Sequence, residues 1–131
     1  MLSDTTVLPM LPVKDLPAAE KFYGGTLGLK KIDGQPGVVV TYRSGSSTLC
    51  VYRSDFAGTN KGTAALWEVD DVEGTAKELK AKGVTFEKYD MPGLTREGDV
   101  YRAGEMRVAW FKDPAGNILS IQNHPASPKR T

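Results

Sequence analysis

The apolar and polar positions of this chain follow one layout twice. LPMLPVKDLPAAEKFYGGTLGLKKI (8–32) and AALWEVDDVEGTAKELKAKGVTFEKY (64–89) each run from an apolar strand through Val-x-Asp into a helical stretch, then to a glycine and a short strand. Val13-Lys14-Asp15 aligns with Val69-Asp70-Asp71 at an offset of 56 residues. Asp15 and Asp71 stand where a helix wants an N-cap, because a carboxylate there accepts from the first free backbone N–H groups. After Asp71, the residues Val72, Thr75, Ala76 and Leu79 recur at helical spacing and predict one buried stripe. Gly83 is placed to end that helix. After Asp15, the residues Leu16, Ala19, Phe22 and Tyr23 share a face; Gly24-Gly25 stops or loosens this helix, with a further turn reaching toward Gly28.

Strand patterns follow each helix. They cover Leu29–Ile32, Val38–Arg43 and Thr48–Arg53 in the first half, with Ser44-Gly45-Ser46-Ser47 as a hairpin turn. In the second half they cover Val84–Glu87, Met106–Lys112 and Ile118–Gln122. The last is preceded by FKDPAGN (111–117), a turn in which Pro114 sets φ, Gly116 permits positive φ, and Asp113 and Asn117 can bond the local backbone. Leu49-Cys50-Val51 corresponds to Leu119-Ser120-Ile121 at an offset of 70, so the second half carries 14 extra residues. Most of these fall in Asp90–Glu105, DMPGLTREGDVYRAGE, which reads as a Gly-rich, charged loop. The prediction is an α+β protein of two βαβββ modules in one domain over residues 5–123. Module one spans 5–53, a linker 54–62, module two 63–123, and a flexible tail 124–131. Two such small sheets are expected to share burial, since neither is stable alone.

Composition narrows the function classes. The 131 residues include 17 basic and 16 acidic side chains, for a net charge of +1, which supplies no field for nucleic acid or an anionic membrane. No run of 18 apolar residues is present, and MLSDTTVLPML lacks the basic region and apolar stretch of a signal peptide, so a cytoplasmic location is expected. The single cysteine, Cys50, makes an internal disulfide impossible, and the single histidine, His124, lies in the polar tail.

The element order, the Val-Lys-Asp-Leu…Phe-Tyr…Leu-Gly-Leu run at 13–29, and Phe-Lys-Asp-Pro-Ala-Gly-Asn at 111–117 resemble the vicinal oxygen chelate superfamily, the glyoxalase / bleomycin resistance / extradiol dioxygenase group. The resemblance covers residues 5–123. It implies a fold in which the two modules form a U-shaped cavity, and for small members a homodimer. It also implies where a divalent metal would be held in the enzymes of the group: at Leu8, Ala64 and Ser120, with Cys50 as the pseudo-symmetric fourth position. These residue types offer no carboxylate and no imidazole, so no metal cofactor is expected.

If the ligand positions face a cavity, strand alternation assigns the rest. The expected ligand-binding set is Leu8, Met10, Cys50, Tyr52, Leu66, Glu68, Val108, Trp110, Ser120 and Gln122, with Met91 and Tyr101 at the rim of the extra loop; Trp67 is expected in the core beneath the helices. An apolar, aromatic and sulfur-containing lining with few polar groups suits a sizeable aromatic ligand. The expected function is metal-independent binding and sequestration of a hydrophobic aromatic small molecule, an antibiotic or other natural product, as in the group's metal-free resistance proteins. Three alternatives stay open. One is an enzyme of the same superfamily with a non-standard site. Another is a metal-independent catalyst using Glu68 as base, or Cys50 as a nucleophile that no nearby histidine activates. The last is a regulatory or purely structural role; apart from these, the sheets could simply close on each other, with the same residues as core.

Overall fold

The computed structural model describes residues 1–90 and 92–123. Met91, His124 and the expected flexible tail therefore lie outside the described residues. The chain divides into two compact units. The first takes 1–62 together with the turn 113–117, and the second takes Thr63–Lys112 and the chain from Ile118.

The first unit holds a four-stranded sheet in the order β1-β4-β3-β2, from β1 (Met10–Val13), β2 (Lys30–Gln35), β3 (Val39–Ser44) and β4 (Ser47–Arg53). A 3-10 turn at Leu2–Asp4 precedes β1. Between β1 and β2 runs α1 (Leu16–Glu20), capped as expected by Asp15, whose Oδ1 accepts from the Ala18 N–H at 3.1 Å. Gly24-Gly25 does not end the helical path. The chain widens instead into a π-helical turn over Lys21–Thr26, where the Leu27 N–H bonds the Phe22 carbonyl five residues back at 2.8 Å. Leu16, Ala19 and Tyr23 are buried, as the helical spacing requires, and α1 packs on β4.

The second unit holds a five-stranded sheet in the order β5-β9-β8-β7-β6. Its strands are β5 (Thr63–Glu68), β6 (Thr95–Glu97), β7 (Val100–Ala103), β8 (Met106–Lys112) and β9 (Ile118–Gln122). The helix α2 (Val72–Ala81) is capped by Asp71, which accepts from the Gly74 N–H at 3.0 Å, and it buries Val72 and Ala76. The two modules obey their predicted correspondence in register as well as in order. Met10 pairs with Cys50 in the parallel pair β1–β4, and Leu66 pairs with Ser120 in the parallel pair β5–β9.

Two departures concern the second module. The predicted strand Val84–Glu87 is reduced to one bridge, Phe86 to Phe111, continued by the Glu87 N–H on the Trp110 carbonyl. The segment predicted as a loop, Asp90–Glu105, contains β6, β7 and two tight turns, Gly98-Asp99 and Gly104-Glu105. In each turn a glycine with positive φ, +62° at Gly98 and +58° at Gly104, takes the first central position of a two-residue connection. That geometry matches the twist of the flanking strands, and a Cβ would oppose it. No helix among the described residues is long and apolar enough to cross a membrane.

Candidate functional site on the open face of the second sheet

Register decides which side chains share a face. Leu66, Ser120 and Trp110 form one row across β5, β9 and β8; Glu68, Gln122 and Val108 form the next, continued by Tyr101 on β7. The opposite face carries Leu119, Ile121, Ala109 and Phe111, all buried, which is the side that α2 covers. This face is the more exposed of the two, but unevenly: Leu66 is 43% exposed, Glu68 is exposed, and Trp110 and Gln122 are half-buried, whereas Ser120, Val108 and Tyr101 are buried.

Trp110 is held by three side chains. The Tyr89 ring meets it edge-on, with centroids 5.6 Å apart at 71°, and the Tyr101 ring does the same at 5.2 Å and 69°. Such T-shaped pairs add about 0.5–1.5 kcal/mol beyond burial. The indole N–H donates to Thr63 Oγ1 at 3.3 Å. The two tyrosines are themselves coupled: the Tyr101 hydroxyl donates to the Tyr89 carbonyl at 2.8 Å and accepts from the Tyr89 N–H. Burial raises the Tyr89 phenol above its ordinary range, with the Glu87 carboxylate adding to the effect, so the ring stays uncharged. Beside this cluster Ser120 is 1% exposed, and its Oγ has no hydrogen-bond partner.

On the first sheet, Met10, Cys50 and Thr41 make one row, and Pro12, Tyr52 and Val39 the next. Met10 is 51% exposed and Tyr52 half-buried, whereas Cys50 is buried with Sγ 3.7 Å from the Thr41 hydroxyl. Leu8 lies ahead of β1 and is exposed. A cleft of about 220 Å³ also occurs in this unit, bounded by Leu16, Val40 and the Gln35–Gly37 turn with the Glu20–Lys31 ion pair (3.1 Å). It has no aromatic wall.

Several expected positions need correction. Tyr101 is not at a loop rim but 2% exposed on β7, because the extra residues fold into a hairpin that extends the sheet. Cys50, Val108 and Ser120 share the expected faces and are buried there. Trp67 falls on the face opposite Leu66, as alternation predicts, yet it is only half-buried, because β5 is an edge strand. Met91 lies outside the described residues.

Two members of the aromatic cluster are absent from the expected set. Thr63 joins it through a register shift between Thr63 and Ala65, a bulge at Ala64 that returns Thr63 to the face of Ser120. Strict alternation puts Thr63 on the other side, and no residue type marks the bulge in advance. Tyr89 lies two residues beyond the predicted strand, and its place depends on the Phe86 bridge.

The metal-ligand positions implied by the resemblance do not fit a divalent ion. Leu8 and Ala64 offer only carbon, and Ser120 and Cys50 a buried hydroxyl and thiol. Among the described residues, no three His, Cys, Asp or Glu side chains gather into a group that could hold a metal ion.

The turn after β8 answers to a different need. Asp113 and Asn117 are buried, and the Asp113 carboxylate accepts four bonds. Oδ1 takes the N–H groups of Ala115 (3.0 Å) and Asn117 (2.8 Å), and Oδ2 takes the Tyr23 hydroxyl (2.7 Å) and Asn117 Nδ2 (2.8 Å). Asn117 Nδ2 also reaches the Pro12 carbonyl at 2.7 Å. Burial and the adjacent carboxylate push the Tyr23 phenol far above its ordinary range. This network is satisfied and structural, with no group left to act on a substrate.

Comparison with known proteins agrees with this architecture. None of the curated proteins compared matches the chain by sequence. Among solved structures, the antibiotic-binding protein TnmS3 from Streptomyces sp. CB03234 is similar at 25% identity and TM-score 0.63, over 88% of this chain and 92% of that one. A lactoylglutathione lyase from Agrobacterium tumefaciens shares the fold at 20% identity and TM-score 0.68, over 91% and 93% of the two chains. The genomically encoded fosfomycin resistance protein FosX from Listeria monocytogenes does so at 16% and 0.66, over 98% and 97%. The family model of the Glyoxalase/Bleomycin resistance protein/Dioxygenase superfamily matches residues 5–121. With two βαβββ-type modules in matching register and that match over most of its length, the chain belongs to the glyoxalase / bleomycin resistance protein / dioxygenase superfamily.

Proposed function

We propose that the protein binds and sequesters an apolar aromatic small molecule of the antibiotic or natural-product type, without a metal. The observation that carries this reading is Trp110, half-buried on the open face of its sheet and braced by Tyr89, Tyr101 and Thr63. A preset aromatic surface loses little conformational freedom when a planar ligand stacks on it. Leu66 beside it supplies apolar area, and Gln122 and Glu68 supply the polar margin. The donor chemistry of Leu8, Ala64, Ser120 and Cys50 supports a metal-independent mode. The likeness to an antibiotic-binding protein at 25% identity supports the ligand class. A catalytic reading would rest on Glu68, whose row on the second sheet runs through Gln122 and Val108.

The same reading takes the protein to work in the cytoplasm as a homodimer. Val7, Leu8 and Met10 expose apolar surface at the edge strand β1, which a second copy would cover.

The test is calorimetric titration of the wild type and Trp110→Ala against a panel of aromatic natural products. Trp110→Ala should weaken binding by about 2–4 kcal/mol, the scale of a central aromatic anchor, while circular dichroism stays that of the wild type. Equal affinity in the two proteins would remove the basis of the proposal.

A further inference from the structure

We infer that Ser120 is the polar anchor of the Trp110 site and selects aromatic ligands that carry a hydroxyl or carbonyl oxygen on the ring edge. This rests on the binding function proposed above and names the chemistry of its ligand.

The inference starts from a difference between the two modules. The row Met10–Cys50–Thr41 on the first sheet corresponds to Leu66–Ser120–Trp110 on the second. In the first row the Cys50 Sγ has a polar neighbour, the Thr41 hydroxyl at 3.7 Å. In the second row the corresponding neighbour is Trp110, whose single N–H is already given to Thr63 Oγ1. Leu66, on the other side, has no polar atom. Ser120 Oγ is thereby left buried and unpartnered, although its residue is 1% exposed. A buried hydroxyl without a partner is uncommon and destabilising, so it calls for a specific explanation.

A ligand supplies the missing partner. Ser120 and Trp110 pair across adjacent strands, which lie about 4.8 Å apart, so an oxygen on the edge of a ring packed beside the indole comes within one strand spacing of the Ser120 hydroxyl. Ser120 is sealed until a neighbouring side chain turns aside, and its paired neighbour Leu66, 43% exposed on the edge strand β5, has the room to do so. Because a hydroxyl both donates and accepts, phenolic and carbonyl oxygens are each suitable.

The experiment is equilibrium dialysis of 1-naphthol and naphthalene against the wild type, Ser120→Ala and Trp110→Ala, with melting temperatures of all three. Ser120→Ala should weaken 1-naphthol roughly tenfold, the effect of one buried hydrogen bond, and leave naphthalene unchanged or tighter. Its melting temperature should equal or exceed that of the wild type, because an unsatisfied hydroxyl has been removed. If Trp110→Ala weakens both probes but Ser120→Ala weakens neither, the binding function stands and the role of Ser120 is overturned. The same follows if Ser120→Ala weakens both probes alike, or lowers the melting temperature by several degrees, since the hydroxyl would then have a structural partner. If neither probe binds the wild type, or Trp110→Ala changes neither, both the binding function and this inference fall.

Discussion

The two tryptophans separate stability from binding. Trp67 faces the helix side from an edge strand and is half-buried, so Trp67→Ala should cost about 2–3 kcal/mol, below the range of a fully enclosed aromatic. It should leave ligand affinity nearly unchanged, whereas Trp110→Ala weakens binding and also gives up the two aromatic pairs that brace the ring. Urea unfolding read beside the titration checks the pair, and loss of affinity in Trp67→Ala would mean the strand faces are assigned wrongly. Tyr23 offers a cleaner residue-scale prediction. Its hydroxyl is one of four donors on the buried Asp113 carboxylate, and the other three remain when it is removed. Tyr23→Phe should therefore lower stability by about 1.5–3 kcal/mol, the worth of a bond to a charged acceptor. The urea midpoint should fall with an unchanged slope. Asp113, Pro114, Gly116 and Asn117 announced a turn in the sequence, but nothing in their spacing pointed to Tyr23, 90 residues away.

At the scale of elements, the helices were legible and the extra hairpin was not. Asp15 and Asp71 cap as read, because a cap is a contact within three residues. The hairpin had its own local marks, Gly98-Asp99 and Gly104-Glu105 at two-residue turn positions, but its strands are too short for alternation to show. Asp99 ties this hairpin to the rest of the second unit, accepting from Lys88 at 2.5 Å and from Lys80 of α2 at 3.2 Å. The bond from Lys88, foremost among these contacts, lowers the Asp99 carboxyl below its ordinary value of 3.8. A carboxyl lowered on folding stabilises fully above its unfolded value, and that contribution is lost as pH falls through the lowered folded value. Both lysines are exposed, so the tether is worth only about 0.5–1 kcal/mol. Asp99→Asn should speed hydrogen exchange of the hairpin amides at neutral pH. Its difference from the wild type should shrink below pH 3.8. A difference that persists in strong acid would assign the tether to something other than this charge.

For the whole molecule, the repeat is the organising fact. One parallel pair and one helix recur in each module, and Cys50 and Ser120 hold the same place in the two copies. The implied ligand positions hold carbon, hydroxyl and thiol groups, so added magnesium, manganese or zinc ions should leave the melting temperature unchanged. A rise of several degrees with one ion bound per chain would restore a metal-dependent function. The reading as a homodimer predicts a two-chain species by sedimentation at micromolar concentration, and Met10→Asp at the exposed edge should shift it toward the monomer.

By itself the sequence determined the order of the elements, the two helix caps and the correspondence of the modules, and, with the ligand positions that the resemblance implies, the faces of Trp110, Ser120 and Leu66. The caps depend on neighbours within a turn and the faces on the two-residue alternation of a strand, while the correspondence is a repeat of the same pattern 56 to 70 residues on. Only the tertiary structure decided that Thr63 turns to the indole N–H, that Tyr89 and Tyr101 brace the ring, and that Ser120 is sealed without a partner. A bulge shifts register by one residue, and a bridge or buried hydroxyl depends on chains distant in sequence. Hydrophobic periodicity carries no trace of either, because the same residues would alternate in the same way whether or not those contacts formed.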